Sequence, residues 1–251
     1  MPDIQHTDNG QCFPLKLYEP ASAEDGLFAT GDTGYTERDG ISDAGLKHFQ
    51  DAYPGEQISK EDLFYYIYGL LHSPDYRERF KNNLSKELPR IPAVKKAVDF
   101  WAFSKAGRAL GDLHVNYETV DPYPVTIAEG DLALASIEDP QSFYRVTKMK
   151  FGGKGRDKDK SIVQYNNHIT MQDIPVRAYE YVVNGKPALE WVIERQCVKT
   201  DKASGIVNDA NDYANETVGN PAYPLELFQR VITVSLKTLD IVENLPVLDI
   251  D

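Results

Sequence analysis

The stretch from residue 59 to residue 117 constrains the fold most, because it predicts three consecutive helices with a clear stop between each pair. Ser59-Lys60-Glu61-Asp62 has the form of a capping box, in which side chains satisfy the free backbone donors at a helix start. Ser73-Pro74 ends the first helix and begins the second, since serine caps and proline suits the first helical position. Pro89 and Pro92 end the second helix, because proline lacks a backbone donor and hinders helical geometry in the residue before it.

Apolar residues recur in these helices at the spacing that places them on one face. Gly107 and Gly111 lie within the third helix and indicate either close approach of another backbone or a local break, since glycine weakens a helix by up to about 1 kcal/mol. The predicted inward faces are Leu63, Phe64, Ile67, Tyr68 and Leu71 in the first helix, Tyr76, Phe80, Leu84 and Leu88 in the second, and Val94, Val98, Trp101, Ala102, Ala106, Ala109, Leu110 and Leu113 in the third.

The sequence on either side of this block completes an α+β prediction. Residues 1–40 are expected to form a connector, and Ser42 to cap a helix at 43–53 that Pro54-Gly55 closes. Strands are predicted at 123–127, 143–149, 161–165 and 168–171, helices at 175–182, 188–197 and 225–242, and loops at 151–155 and 199–222. Asn184-Gly185 is a turn signal that could close a hairpin, although the following Pro187 favours a turn between helices. A helical subdomain (41–120, with its helical block at about 42–118) is expected to pack with a mixed α/β subdomain (121–251) as one domain.

Composition matters mainly through charge. The chain of 251 residues has a formal net charge of −12, which is the wrong sign for a freestanding DNA-binding protein, although a local basic face is enough for binding. No apolar run approaches the roughly 20 residues of a membrane-spanning helix, and the polar N-terminus lacks a signal-peptide core. Cys12 and Cys197 are expected to be free thiols in a cytoplasmic protein, and no cluster has the spacing of a structural zinc site.

A long string of residues carries a resemblance to a known family. Residues 62–77 read DLFYYIYGLLHSPDYR, followed by LPRIP at 88–92, DFWAF at 99–103 and LHVNYE at 113–118. Over about residues 13–248 the chain resembles the C-terminal target-recognition region of type ISP restriction–modification enzymes and related helicase-like proteins. The resemblance implies a non-catalytic domain that reads a short asymmetric sequence in duplex DNA and directs adenine methylation and cleavage by other domains.

The resemblance also implies partners and cofactors. The expected partners are double-stranded DNA and the methyltransferase and helicase domains of the same polypeptide, in a bacterial cytoplasm. No cofactor is expected in this chain, whereas ATP, Mg and S-adenosylmethionine are expected for the parent enzyme. The alternative is a protein-interaction or scaffold module that docks on other domains of a helicase-like protein, which the acidic total and the helical block favour.

Residues 145–160 are the strongest local candidate for DNA contact. They contain seven basic residues against two acidic ones, and the glycines beside them let the backbone approach a phosphate closely. With the resemblance, they predict a basic loop between two strands that enters or tracks a groove, and the alternative is a solvated hairpin tip. The basic residues are Arg145, Lys148, Lys150, Lys154, Arg156, Lys158 and Lys160.

Two further polar sets complete the predicted DNA-binding residues. Asparagine can bond adenine through N7 and the exocyclic amine, although Asn-Asn is also an ordinary turn pair. The residues of the second set either contact DNA or fix their own loop through bonds from side chain to backbone. The first set is Asn166, Asn167 and His168, and the second is Arg195, Lys199, Lys202, Asn208 and Asn211.

Four other features are expected to be structural. Asn220-Pro221-Ala222-Tyr223 looks like the Asn-Pro-Pro-Tyr motif of adenine amino-methyltransferases, but its third residue is alanine and no glycine-rich cofactor loop precedes it. His72, Arg77 and Arg90 lie at predicted helix ends, where capping and packing are the ordinary roles. No catalytic residue is therefore predicted in this chain.

Overall fold

The computed structural model describes residues 12–20, 35–84, 86–130, 137–155 and 157–250. The chain divides into two compact units, the first comprising residues 1–111 with 245–251 and the second residues 112–244. Helices occur together with small antiparallel sheets, which confirms the α+β prediction. The predicted subdomain bounds of 41–120 and 121–251 stay a prediction.

The first unit is mainly helical. The predicted helix starts are confirmed, because Ser42 Oγ accepts from the Gly45 N–H and the box of Ser59 and Asp62 makes both of its bonds. Strand β1 (Lys16–Pro20) pairs antiparallel with β2 (Tyr35–Asp39), and α1 (Asp43–Ala52), α2 (Lys60–His72), α3 (Pro74–Leu84) and α4 (Ala97–Val115) follow.

The buried helical faces in this unit agree with the predicted ones only in part. Leu63, Tyr76 and Leu110 are buried as predicted. Tyr66 stacks on Phe100 with ring centroids 4.7 Å apart, and the Tyr66 hydroxyl donates to the Pro92 carbonyl at 2.6 Å. A tyrosine whose hydroxyl is hydrogen-bonded can occupy a fully buried position, and Tyr66 does so. Val98, which was predicted to face inward, is 69% exposed. The buried residues are Leu63, Tyr66, Gly69 and Leu70 in α2, and Phe100, Phe103, Ser104, Gly107 and Leu110 in α4.

The end of α3 is also corrected. The helix ends at Leu84, because the Asn83 carbonyl accepts from the N–H groups of Lys86 and Glu87 in a closing turn. Leu88, predicted to face inward, is consequently 53% exposed. The proline pair lies downstream of the helix end and does not determine it.

Gly69 and Gly107 lie where α2 and α4 meet. A Cβ atom added at Gly107 would lie 1.8 Å from the Tyr65 backbone oxygen, and one at Gly69 would lie 2.2 Å from the Phe103 oxygen. Ser104 Oγ donates to the Asp62 carbonyl at 2.8 Å in the same region. Of the two explanations for the glycines, close approach of another backbone is correct for Gly107, and α4 continues through it unbroken.

The second unit contains a four-stranded antiparallel sheet and a long helix. The sheet has the order β3-β6-β5-β4, and two hairpins, β7–β8 and β9–β10, lie outside it. The strands are β3 (Thr126–Ile127), β4 (Lys150–Lys154), β5 (Asp157–Gln164), β6 (Thr170–Gln172), β7 (Val182–Val183), β8 (Lys186–Pro187), β9 (Val198–Thr200) and β10 (Val207–Asp209). The helices are α5 (Pro140–Tyr144), α6 (Ala188–Arg195), α7 (Ala210–Asp212) and α8 (Tyr223–Glu243), with 3-10 turns at Tyr117–Thr119 and Val176–Glu180 and a π-helical turn at Tyr213–Val218.

Helix α8 supplies one side of the core of this unit. Its apolar sequence predicts burial around much of its girth, and nine of its residues are buried. Phe228 and Ile232 share a core with Val163 of β5, Met171 of β6 and Leu189 of α6. The buried helix and sheet therefore fix the loops and hairpins at their edges.

One strand prediction and one loop prediction in this unit are wrong. Residues 143–149 do not form a strand, because Asp139 caps α5 by accepting from the Ser142 N–H at 3.1 Å and Pro140 occupies its first turn. The chain from Phe151 to Lys154, predicted as loop, belongs to β4. In addition, the first predicted strand shortens to Thr126–Ile127.

Two turn and loop predictions also change. Asn184-Gly185 closes the β7–β8 hairpin rather than joining helices, since both residues have positive φ (50° and 76°), as a type I′ turn requires. Residues 199–222 are not a plain loop, because they contain the β9–β10 hairpin and α7. Cys12 and Cys197 are free. Among the described residues, no helix combines the length and apolar character that a membrane crossing requires.

Candidate nucleic-acid interface

One buried asparagine holds together two parts of the second unit that the sequence places far apart. Asn211 Nδ2 donates to the Val146 carbonyl at 2.8 Å, and its Oδ1 accepts from the Val146 N–H at 2.9 Å. The Val198 N–H donates to the Thr147 carbonyl at 3.0 Å. The segment of residues 145–149 is therefore held beside the β9–β10 hairpin.

An ion pair lies next to this connection. Arg145 Nη2 contacts Asp209 Oδ2, and the Asp209 side chain is only 10% exposed while that of Arg145 is 45% exposed. Burial opposes ionisation of Asp209, but hydrogen bonds from Asn211 and Arg145 outweigh it and lower the pKa of the carboxyl. Asp209 is thus a fixed anion that positions an accessible guanidinium.

The turn between β5 and β6 is built by the side chain of Asn166. Its Oδ1 accepts from the N–H groups of His168 and Ile169 at 2.8 and 2.9 Å. Its Nδ2 donates to the Phe143 carbonyl at 2.8 Å and to the Arg145 carbonyl at 3.1 Å. Asn166 is therefore occupied by the protein's own backbone, whereas Asn167 and His168 are exposed beside it.

These connections bring many of the predicted residues to two neighbouring clefts. Arg145 lines one cleft and its partner Asp209 lines the other, so their ion pair marks the boundary. The first cleft, of about 290 Å³, is lined by Ser142, Arg145, Thr147, Lys148, Lys150, Gln164, Asn166, Asn167 and His168. The second, of about 370 Å³, is lined by Glu194, Arg195, Cys197, Lys199, Asp201, Asn208, Asp209 and Ala210.

The remaining predicted cations lie outside these clefts. Lys160 pairs with Glu190 at 2.9 Å and lies over the Tyr179 ring, and Lys158 lies over the Phe151 ring. Lys154 is at the exposed end of the β4–β5 hairpin. Lys202 is exposed in the β9–β10 turn, and Arg156 lies outside the described residues. The described part of the predicted basic loop is mostly a two-stranded hairpin. Its described cations divide between the first cleft and that hairpin.

Asn211 makes the contacts expected of the alternative role for its set, which is to fix its own loop. It is 3% exposed, and its amide is fully engaged with Val146 and Asp209. Asn166 is likewise engaged, so both side chains position backbone in this structure. Asp209 was not among the predicted residues, although Asp-Ala-Asn directly before a helical turn is a sequence signal for capping.

We expect Asn211→Ala to lower the free energy of unfolding by about 2–3 kcal/mol, because the buried N–H and C=O of Val146 lose their partners. Urea denaturation followed by Trp191 fluorescence in a Trp101→Phe background reports the second unit. The matched control is Asn208→Ala, on exposed β10 backbone, which should change stability by less than about 0.5 kcal/mol. Equal stability of the two variants would contradict the positioning role.

The features that were expected to be structural have structural contacts. Asn220 Oδ1 accepts from the Ala222 N–H at 3.0 Å and its Nδ2 donates to Glu226 at 3.2 Å, so this motif shapes the start of α8. Arg77 Nε donates to the Leu71 carbonyl at 2.7 Å, and Arg90 pairs with Glu87. His72 Nδ1 lies 2.7 Å from the Tyr68 carbonyl oxygen, and burial lowers its pKa.

Comparison with known proteins identifies the family. The family model described as the Type ISP C-terminal specificity domain matches residues 1–227. The chain therefore belongs to the Type ISP C-terminal specificity domain family. A search of curated proteins returned no match.

Three solved structures resemble the chain in both fold and sequence. The ATP-dependent Type ISP restriction-modification enzyme LlaBIII bound to DNA matches 95% of the chain with a TM-score of 0.75 and 36% identity. A nuclease-deletion mutant of the Type ISP enzyme LlaGI with a DNA substrate mimic matches 79% (TM-score 0.64, 44% identity). The DrdV–DNA complex matches 84% (TM-score 0.67, 32% identity). The chain covers 14%, 15% and 20% of those chains, respectively.

Proposed function

We propose that this chain is the DNA target-recognition part of a single-polypeptide restriction–modification enzyme. The observation that carries the proposal is the family match over residues 1–227, together with three similar structures that are each described with DNA or a DNA mimic. The chain binds DNA, and other domains of the parent polypeptide methylate adenine and cleave the DNA. The alternative of a protein-docking module is not favoured by these comparisons.

The two clefts, together with the β9–β10 hairpin that lines one of them, form the proposed DNA face. Among the described residues that line the clefts, five are Lys or Arg and three are Asp or Glu, one of which is neutralised by Arg145. This local excess supports DNA contact despite the net charge of −12. We assign phosphate contacts to the exposed cations Lys148, Lys150, Arg195, Lys199 and Lys202, and an accessory role to Lys154, Arg156, Lys158 and Lys160.

Base reading is assigned to the exposed amide and imidazole groups. Asn167, His168 and Asn208 are exposed on this face, and such groups can bond base edges in the major groove. Arg145 lies at the boundary between the clefts, and its guanidinium group can donate hydrogen bonds to both O6 and N7 of a guanine. Asn166 and Asn211 keep these groups in place rather than touch DNA.

DNA cleavage, ATP-driven movement and methylation belong to other parts of the parent polypeptide in this proposal. Residues 1–40 would serve as the connector, and residues 41–120 and 121–251 would act together as one recognition domain. Nuclease, ATP-driven helicase and adenine methyltransferase domains would use ATP, Mg and S-adenosylmethionine in the bacterial cytoplasm. Among the described residues, no group of three or more His, Cys, Asp or Glu could hold a metal ion.

Selection of bound duplexes from a random library at low salt, followed by sequencing, tests the proposal. We expect an enriched motif without twofold symmetry, because a single chain presents one asymmetric face. The same selection on the parent polypeptide shows whether other domains are required for affinity. No enrichment with either protein would contradict DNA recognition and favour the docking module.

A further inference from the structure

The outer end of the β9–β10 hairpin carries two neighbouring β-branched residues that are exposed. Ile206 is 60% exposed and Val207 is 57% exposed. Ile206 directly precedes β10 and Val207 is the first residue of that strand, so the exposed pair lies at the turn end of the hairpin. The hairpin therefore ends in a thin apolar edge.

The turn that carries this edge is closed by several hydrogen bonds. Asp201 Oδ1 accepts from the N–H groups of Ala203 and Ser204 at 3.0 and 2.8 Å and from Ser204 Oγ at 2.8 Å. The Asp201 N–H donates to the Ile206 carbonyl at 2.8 Å, and Gly205 has the positive φ (72°) that closes the turn. A preorganised turn needs little ordering on binding.

Side chains that can contact phosphates and base edges lie next to the apolar edge on the same hairpin. Lys199 and Asn208 are directly opposite each other in the register, so they share one face of the hairpin. Val207 and Asp209, two residues apart on β10, share the other face, where Asp209 holds Arg145. The apolar edge thus adjoins the proposed DNA face through Lys199, Asn208 and the Arg145–Asp209 pair, so its proposed occupant is the same duplex DNA.

We propose that the hairpin end is a wedge: Ile206 and Val207 enter duplex DNA and unstack one base step. The inference rests on the proposed DNA-binding function. Apolar side chains inserted between base steps are a known means of deforming DNA, and isoleucine is among the residues that do so. The wedge would make recognition depend on how easily that step unstacks, which adds sequence preference without any hydrogen bond to a base.

The test uses the selected duplex with 2-aminopurine placed at each position in turn, because its fluorescence rises when it is unstacked. The chain alone is used, so no methyltransferase domain is present to extrude a base. We expect at least a threefold rise at one step on saturation. In Ile206→Ala/Val207→Ala that rise should disappear while affinity falls by no more than about tenfold, and Ile206→Leu should retain it.

Two controls separate the wedge from the rest of the interface. Val176→Ala removes an equally exposed valine elsewhere in the unit (59% exposed) and should leave the rise unchanged. Lys199→Gln should weaken binding yet preserve the rise at saturation. Binding without any rise, or a full rise in the double variant, would overturn the wedge, whereas absence of binding at low salt by both the unmodified chain and the parent polypeptide would contradict the proposed function itself.

Discussion

Gly107→Ala is expected to destabilise the first unit by about 3 kcal/mol or more. The new Cβ atom would lie 1.8 Å from the Tyr65 backbone oxygen and 2.7 Å from the Gly69 backbone nitrogen. Neither atom belongs to a flexible side chain, so α2 and α4 must separate and lose the packing of Tyr66 on Phe100. Trp101 fluorescence in a Trp191→Phe background, followed through urea denaturation, measures the loss.

Gly111→Ala is the matched control, one helical turn further along α4. Its Cβ atom would meet only the Tyr65 ring, at 2.9 Å from Cε1, which can rotate away. The gain in helix propensity, about 1 kcal/mol, offsets that adjustment, so stability should change little. A Gly107→Ala chain as stable as Gly111→Ala would mean that the two helices do not approach so closely.

Neutralising Lys148, Lys150 and Lys199 to glutamine is expected to weaken DNA binding by about 100-fold or more near 0.1 M salt. Counterion release makes each lost phosphate contact worth roughly tenfold there, and it lowers the slope of log K against log salt by about 0.9 per contact. The slope should therefore fall by about 2 to 3. Fluorescence anisotropy with the selected duplex between 50 and 300 mM salt measures both quantities.

The matched control removes the same charge elsewhere. Lys96, Lys105 and Lys237 are exposed and do not line the clefts. Their triple replacement by glutamine should leave the slope within about 0.5 of the unmodified value. Equal losses in both triple variants would indicate a diffuse charge effect and would contradict the assignment of the DNA face.

The sequence predicts the helix starts of this protein well and its short strands poorly. Ser42 bonds the backbone of Gly45, and Ser59 bonds that of Asp62. Each partner is three residues away, so the sequence signal for these helix starts is local. The inner face of α2 depends instead on the Tyr66 hydroxyl reaching Pro92, which lies 26 residues away. Such long-range bonds leave no periodic signal, so hydrophobic spacing correctly selected Leu63, Ile67 and Leu71 but missed Tyr66.

The same distinction applies to the candidate interface. Charge density along residues 145–160 identifies the region, and Lys148 and Lys150 reach a shared cleft. The sequence does not show that Arg145 is joined to Asp209, 64 residues later. It also does not show that Asn211 is buried, because the residue type is equally suited to reading a base and to clamping a backbone.

The last residues of the chain have a consequence for the order of folding during synthesis. Leu248 is buried in the core of the first unit, and the Lys95 N–H donates to the Asp249 carbonyl at 2.9 Å. Residues 112–244 are therefore an insertion within the first unit, which cannot be completed until the ribosome has made the whole insert. The second unit, continuous in sequence, can finish first, whereas domains usually fold in the order of translation.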